Sequence, residues 1–172
     1  MNDKILITYA SRTGSTRGVA EAIGQTLAES GVPVDVRPMA DVTDLAPYRA
    51  VVAGSAIRGN QWLPEAMQFV QAHRSELARK PFASFLVCMT LVIANGKYRE
   101  QVQDFLQPVR ALVRPVSEGC FAGALDIRKV LSLRDKVGFR LSVAFGVWQE
   151  GDHRDWGAIR AWAAELAPRL AA

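Results

Sequence analysis

The sequence predicts an α/β fold: a doubly wound parallel sheet of five strands, helices on both faces, and an insertion after strand five. Three observations carry this. Five short runs rich in Val, Ile, Leu and Phe alternate with stretches of helical periodicity, and parallel neighbours require such crossovers. The first and fourth runs, "KILITYA" and "PFASFLVCMT", are apolar with little alternation, as strands covered on both faces are. The chain has 172 residues, enough for one well-buried core and short for two, so a single domain is expected.

Residues 4–10 form the first strand, centred on Ile5, Leu6 and Ile7. From Thr16 onward Val19, Ala20, Ile23, Leu27 and Ala28 recur at helical spacing, and Gly31 closes that helix. "VPVDVRPM" (32–39) is the second strand and "AVVAGSAI" (50–57) the third. Pro64 suits the first turn of the next helix, which has Met67, Phe69, Val70 and Leu77 as its apolar face. "PFASFLVCMT" (81–90) is the fourth strand, apolar enough to be central. The helix over 98–113 should kink or break at Pro108, which has no amide to donate. "GCFAGAL" (119–125) is the fifth strand. Asp155 is a candidate N-cap for a last helix with Trp156, Ile159, Trp162 and Leu166 in its stripe.

The alternation breaks at residues 126–150, "DIRKVLSLRDKVGFRLSVAFGVWQE", where a short link is expected. Val130, Leu133, Val137, Leu141, Ala144 and Trp148 fall on one helical stripe, flanked by Lys129, Arg134, Lys136 and Arg140. That is the pattern of a basic amphipathic helix. Four readings stay open: a segment on a membrane surface, a cover over the ligand site, one more helix packed on the sheet, or a contact with a second copy. It is too short and too charged to span a bilayer.

Sixteen Arg and five Lys against 17 acidic residues give a net charge of +4. This mild excess does not imply nucleic acid, but it suits an anionic membrane or substrate. The N-terminal "MNDKILITYA" does not read as a signal peptide, so a cytoplasmic location is expected. Cys88 and Cys120 sit in apolar runs without metal-type spacing and read as buried free thiols. His73 and His153 share no ligand spacing with them, and no metal site is expected.

In an open parallel sheet ligands bind beyond the carboxyl ends of the strands, where strand order reverses; for a sheet of order 2-1-3-4-5 that point lies between strands one and three. The loop after strand one is "SRTGST". Ser11, Thr13, Ser15 and Thr16 offer hydroxyls, Gly14 lets the backbone come close, and the following helix turns its free N–H groups toward an anion. Neither G-x-G-x-x-G nor G-x-x-x-x-G-K-[ST] is present. A phosphate monoester held by hydroxyls and amides fits best. The loops "SAIRGNQW" and "MTLVIANGKY" lie beside it.

The pattern Ser11-Arg12-Thr13-Gly14-Ser15-Thr16 after the first strand resembles the phosphate loop of the flavodoxin family, which binds FMN on a sheet of this order. The resemblance implies a flavodoxin-like fold with FMN as cofactor and its phosphate on residues 11–16. It further implies that Ser55, Ala56, Ile57 and Arg58 line the isoalloxazine, with Trp62 as a stacking partner, and that Thr90, Leu91, Asn95 and Gly96 approach the other side. Two features depart from electron-carrying flavodoxins. Those are acidic around the exposed flavin edge, whereas this chain is basic and places Arg58 there; and "TLVIANGK" lacks their aromatic and acidic pair.

"GSAIRGNQWLPEAMQFVQAHRSEL", "FAGALDIRK" with its long insertion, and "DWGAIRAWAAELA" are similar to the menaquinone-dependent protoporphyrinogen IX dehydrogenase family. That similarity implies an FMN-dependent oxidoreductase of haem synthesis, with a porphyrinogen as donor, a membrane quinone as acceptor and peripheral association with the inner face of the membrane. Oligomeric state stays open. Arg58, Lys97, Arg128, Lys129, Arg134 and Arg140 are candidate partners for anionic propionates, Arg58 being nearest the expected flavin. No His, Asp or Glu falls in the three ring loops, so no general base is expected there and the redox chemistry rests with the cofactor. The alternative is an FMN-carrying electron shuttle. A phosphoacceptor domain is set aside, because strands one and three end in "YAS" and "GSAIR" without acidic residues.

Overall fold

The computed structural model describes residues 3–171, with residues 94–96 described by their backbone alone. Side-chain alternation along the strands builds two apolar layers, one on each face of a central sheet. In β1 (Lys4–Ala10), Leu6 and Ala10 face one layer while Ile5 and Ile7 face the other. β3 (Tyr48–Arg58) divides Val51 and Ala53 from Ala50 and Val52, and β5 (Phe82–Val87) divides Phe82 and Leu86 from Ala83 and Phe85. Burial of each large apolar side chain in these layers contributes about 1.5–3 kcal/mol, which is why the continuous apolar runs become the central strands.

β2 (Val34–Pro38) and β6 (Ser117–Phe121) complete a parallel sheet in the order β2-β1-β3-β5-β6. Numbered among themselves, these five parallel strands run 2-1-3-4-5, as the resemblance to flavodoxins implies. β4 is the two-residue strand Gln61–Trp62, which turns back antiparallel on the end of β3. The turn between them holds Gly59 at φ 57° and Asn60 at φ 62°, two left-handed residues that give a tight two-residue hairpin.

One face is covered by α1 (Ser15–Ala28) and α7 (Trp156–Leu170), through Val19, Ala20, Ile23 and Leu27 on the first and Ile159, Ala163, Leu166 and Leu170 on the second. The Asp155 carboxylate accepts from the Ala158 amide at 2.9 Å, the expected N-cap. The other face is covered by α2 (Pro64–Ala72), the single turn α3 (Arg74–Leu77), α4 (Arg99–Asp104) and α5 (Gln107–Leu112). The helix expected over 98–113 is thus broken, and Pro108 sits in the first turn of its second half, where a missing amide costs nothing.

The fifth strand ends earlier than its apolar run suggests. β6 stops at Phe121, and β7 (Ala124–Leu125) leaves the sheet to pair antiparallel with β8 (Gly151–Asp152). This ribbon closes the base of the insertion, helped by a Glu150 carboxylate that accepts from the Ile127 amide at 3.2 Å. Within the insertion lies α6 (Leu133–Ala144), its Ser132 hydroxyl accepting from the Asp135 amide at 3.3 Å.

The insertion is not a helix packed on the sheet, and the part of its stripe that lies on α6 faces away from the protein. No α6 side chain is fully buried; Leu133 is 78 % exposed, and Val137 and Leu141 are exposed with it. Val130 is buried before the helix begins, and Trp148 follows its end. The side turned inward carries Asp135 and Phe139. Among the described residues no helix is long and apolar enough to cross a membrane.

Candidate functional site

The carboxyl ends of β1, β3 and β5 open onto a cavity of about 560 Å³, within the usual span of ligand sites of about 300–1,000 Å³. Arg12, Thr13 and Ser15 line it from the first loop, and Ala56, Ile57, Arg58, Gly59 and Asn60 from the β3–β4 hairpin. Cys88, Met89 and Thr90 contribute from beyond β5, and Gly123, Ala124 and Leu125 from beyond β6. The insertion roofs it with Val130, Leu131, Ser132, Asp135, Phe139 and Trp148.

The first loop is built for an anion. Gly14 holds φ 91°, and a β-carbon added there would meet nothing within 4 Å, so backbone conformation rather than space calls for glycine. The Ser11 hydroxyl accepts from the Gly14 amide at 3.1 Å and fixes the turn. α1 starts at Ser15 without a side-chain cap, leaving its first-turn amides pointed at the loop. Thr16 is completely buried, and its Oγ1 has no hydrogen-bond partner within the protein. A buried hydroxyl without a partner at a helix N-terminus is the donor a phosphate oxygen would satisfy.

Two arginines frame this loop. The Arg12 guanidinium forms a two-pronged pair with the Glu65 carboxylate of α2, with Nη2 to Oε2 at 3.0 Å. That hydrogen bond holds the Glu65 carboxyl below its ordinary range and raises Arg12. Arg154 donates to the Ser15 carbonyl at 3.3 Å, pairs with Asp152 at 2.7 Å, and stacks 4.4 Å from the Trp156 ring. Its hydrogen bond lowers the Asp152 carboxyl. Arg154 is remote in sequence and carries no motif, so the sequence offers no signal for it.

The remaining expected residues divide. Ser55 is buried, its hydroxyl accepting from the Leu63 amide at 3.0 Å and donating to the Ala56 carbonyl at 2.8 Å, so it shapes the hairpin from within. Trp62 does not reach the cavity: pairing of β4 with Ile57 turns the indole inward, where it is 3 % exposed among the core residues. Leu91 faces a second cavity beside β6. The surroundings of Asn95 and Gly96 lie outside what the structure describes. Cys88 lines the main cavity and Cys120 the second; burial pushes both thiols up, Cys120 to about 11, which leaves them protonated and unreactive at neutral pH. Among the described residues no cluster of His, Cys, Asp and Glu is arranged for a metal ion.

Asp135 is the acidic residue that the loop-by-loop reading misses. It reaches the cavity from α6 and pairs with Arg58 at 2.6 Å across a separation of 77 residues.

Comparison with known proteins agrees with this geometry. The flavodoxin domain family matches residues 6–146. A protein of Leishmania major named protoporphyrinogen IX dehydrogenase [quinone] is 29 % identical over an alignment of 174 positions, covering 95 % of this chain and 74 % of that protein. Oxidised flavodoxin 2 of Bacillus cereus superposes with a TM-score of 0.54 at 27 % identity, over 83 % of this chain and 99 % of that one. A Streptococcus pneumoniae flavodoxin gives 0.60 at 19 % identity, over 97 % and 99 %. The hydroxyls and first-turn amides of the first loop are of a kind that fits an FMN phosphate. A match over that much of the chain decides the family: this chain belongs to the flavodoxin domain family, binds FMN, and serves oxidoreduction or electron transfer.

Proposed function

We propose that this single domain is an FMN-dependent oxidoreductase that takes electrons from protoporphyrinogen IX and delivers them to a quinone. The observation that carries the reading is the roof. A shuttle that docks on partner proteins needs an open flavin edge, whereas here the insertion closes over the cavity with Val130, Leu131, Phe139 and Trp148. An apolar wall of that kind suits a planar, hydrophobic macrocycle. The name and extent of the Leishmania major relative support the same donor and acceptor.

In this reading Thr13, Ser15 and Thr16, with the first-turn amides of α1, hold the phosphate, while Ser11 and Gly14 shape the loop. Ala56, Ile57, Arg58 and Thr90 flank the ring, and Ser55 braces the hairpin. FMN, when bound, supplies the redox chemistry; the protein holds it, screens it from water and admits the donor. Leu133, Phe145 and Val147 are exposed on the insertion beside the exposed Arg134 and Arg140. Apolar and basic groups together on one segment suit peripheral contact with an anionic bilayer, where a quinone is dissolved.

The test is anaerobic. FMN-loaded protein mixed with protoporphyrinogen IX should lose its flavin absorbance, and a menaquinone analogue should restore it. Intact absorbance after mixing would overturn the porphyrinogen reading and leave an electron shuttle that reacts with protein partners.

A further inference from the structure

The pair between Arg58 and Asp135 joins two parts of the molecule that otherwise touch little. Arg58 ends β3 and is fixed by the Gly59–Asn60 turn; Asp135 lies in the first turn of α6. The base of the insertion is tied down by the β7–β8 ribbon. Farther out, α6 buries no side chain completely, and this ion pair is the salt bridge that ties it to the sheet among the described residues. Both partners line the cavity, and the Arg58 side chain is 63 % exposed.

An ion pair with a 63 % exposed arginine and a 31 % exposed aspartate is weak, because solvent screens it and the long Arg58 side chain must be ordered to make it. A guanidinium accepts any carboxylate of suitable geometry. A carboxylate brought into the cavity by a ligand therefore meets an arginine already oriented and held by an exchangeable partner. Resting on the oxidoreductase reading above, we propose that Asp135 occupies the place on Arg58 that a substrate carboxylate takes. Docking of an anionic substrate exchanges one carboxylate for the other and frees the first turn of α6, so one group selects for charge and opens the cover. A neutral ligand of the same shape leaves the pair intact.

The experiment compares protoporphyrin IX, which carries two carboxylates, with its dimethyl ester, each titrated into FMN-loaded protein by fluorescence quenching. Asp135→Asn should tighten binding of the acid by roughly three- to tenfold and leave the ester unchanged, since it removes a competitor for Arg58. Arg58→Gln should weaken the acid by a similar factor and again spare the ester. Hydrogen exchange supplies two further readouts: the amides of residues 134–137 should exchange faster in ligand-free Arg58→Gln than in wild type, which needs no porphyrin, and faster in wild type on adding the acid but not the ester. Equal changes for acid and ester, or an acid affinity indifferent to Asp135→Asn, would overturn the exchange and leave the redox reading standing. Wild-type protein that bound neither porphyrin would overturn the choice of substrate and the exchange together.

Discussion

Replacing Thr16 by Val separates the cost of the phosphate loop from its use. Thr16 is completely buried and its hydroxyl has no partner within the protein. Leaving such a group unpaired costs about 1–3 kcal/mol, and Val removes the group while nearly preserving shape. Ligand-free Thr16→Val should therefore be more stable than wild type by about 1 kcal/mol or more, which for a domain of this size raises Tm by about 2–4 °C per kcal/mol. With FMN the sign reverses. A hydrogen bond to a charged phosphate oxygen contributes about 1.5–3 kcal/mol, so the variant should bind FMN roughly 10- to 150-fold more weakly. Thr8 provides the control: its Oγ1 is also buried and unpartnered, but it lies inside β1. Thr8→Val should raise Tm with FMN affinity unchanged. Calorimetry of the ligand-free proteins and flavin fluorescence titration read the two effects. A Thr16→Val protein that melts lower without FMN, yet binds it as wild type does, would refute the assignment of Thr16 to the phosphate.

Three further outcomes follow from the same geometry. The Glu65 carboxyl titrates below its ordinary value of 4.5 when folded, so its contribution is complete above that pH and is lost as pH falls through the lowered value; Glu65→Gln should flatten the acid limb of a Tm-against-pH curve, only slightly because the pair is half exposed. Cys88, which is buried, and Cys120, which is partly buried, should alkylate slowly at pH 7 in the folded protein and faster on unfolding; equal rates in the two states would contradict the desolvation that keeps both thiols protonated. Sedimentation with anionic vesicles should capture wild type in a salt-sensitive way, and Leu133→Glu with Phe145→Glu should abolish it, while equal capture of that variant would place the membrane contact elsewhere.

How much of this was readable in the sequence depends on how local the cause is. The central strands follow from continuous apolar runs, Pro108 breaks its helix for a reason internal to proline, and the Gly14 turn is written in six consecutive residues. Trp62 was not readable, because an aromatic beside a binding loop suits ring stacking and core packing equally; pairing with Ile57 decides for the core. The end of the fifth strand depends on partners 26 residues apart, Leu125 and Gly151, which no local pattern announces. The neighbour of the insertion's stripe stays open in the sequence, because periodicity does not say what a stripe packs against. The apolar side of α6 meets solvent, and the side with Asp135 and Phe139 meets the cavity.

The β7–β8 ribbon gives the molecule a modular construction. Because Leu125 and Gly151 are register partners, the chain departs from the cofactor platform and returns to it at one place. Whatever lies between is, to the sheet, a single hairpin loop, and the entropy of closing a loop rises only with the logarithm of its length. A lineage can lengthen, shorten or repattern this excursion without disturbing the five strands or the phosphate turn. Substrate preference and cofactor retention can then change by separate mutational routes, and an engineer can graft a different cover onto the same platform.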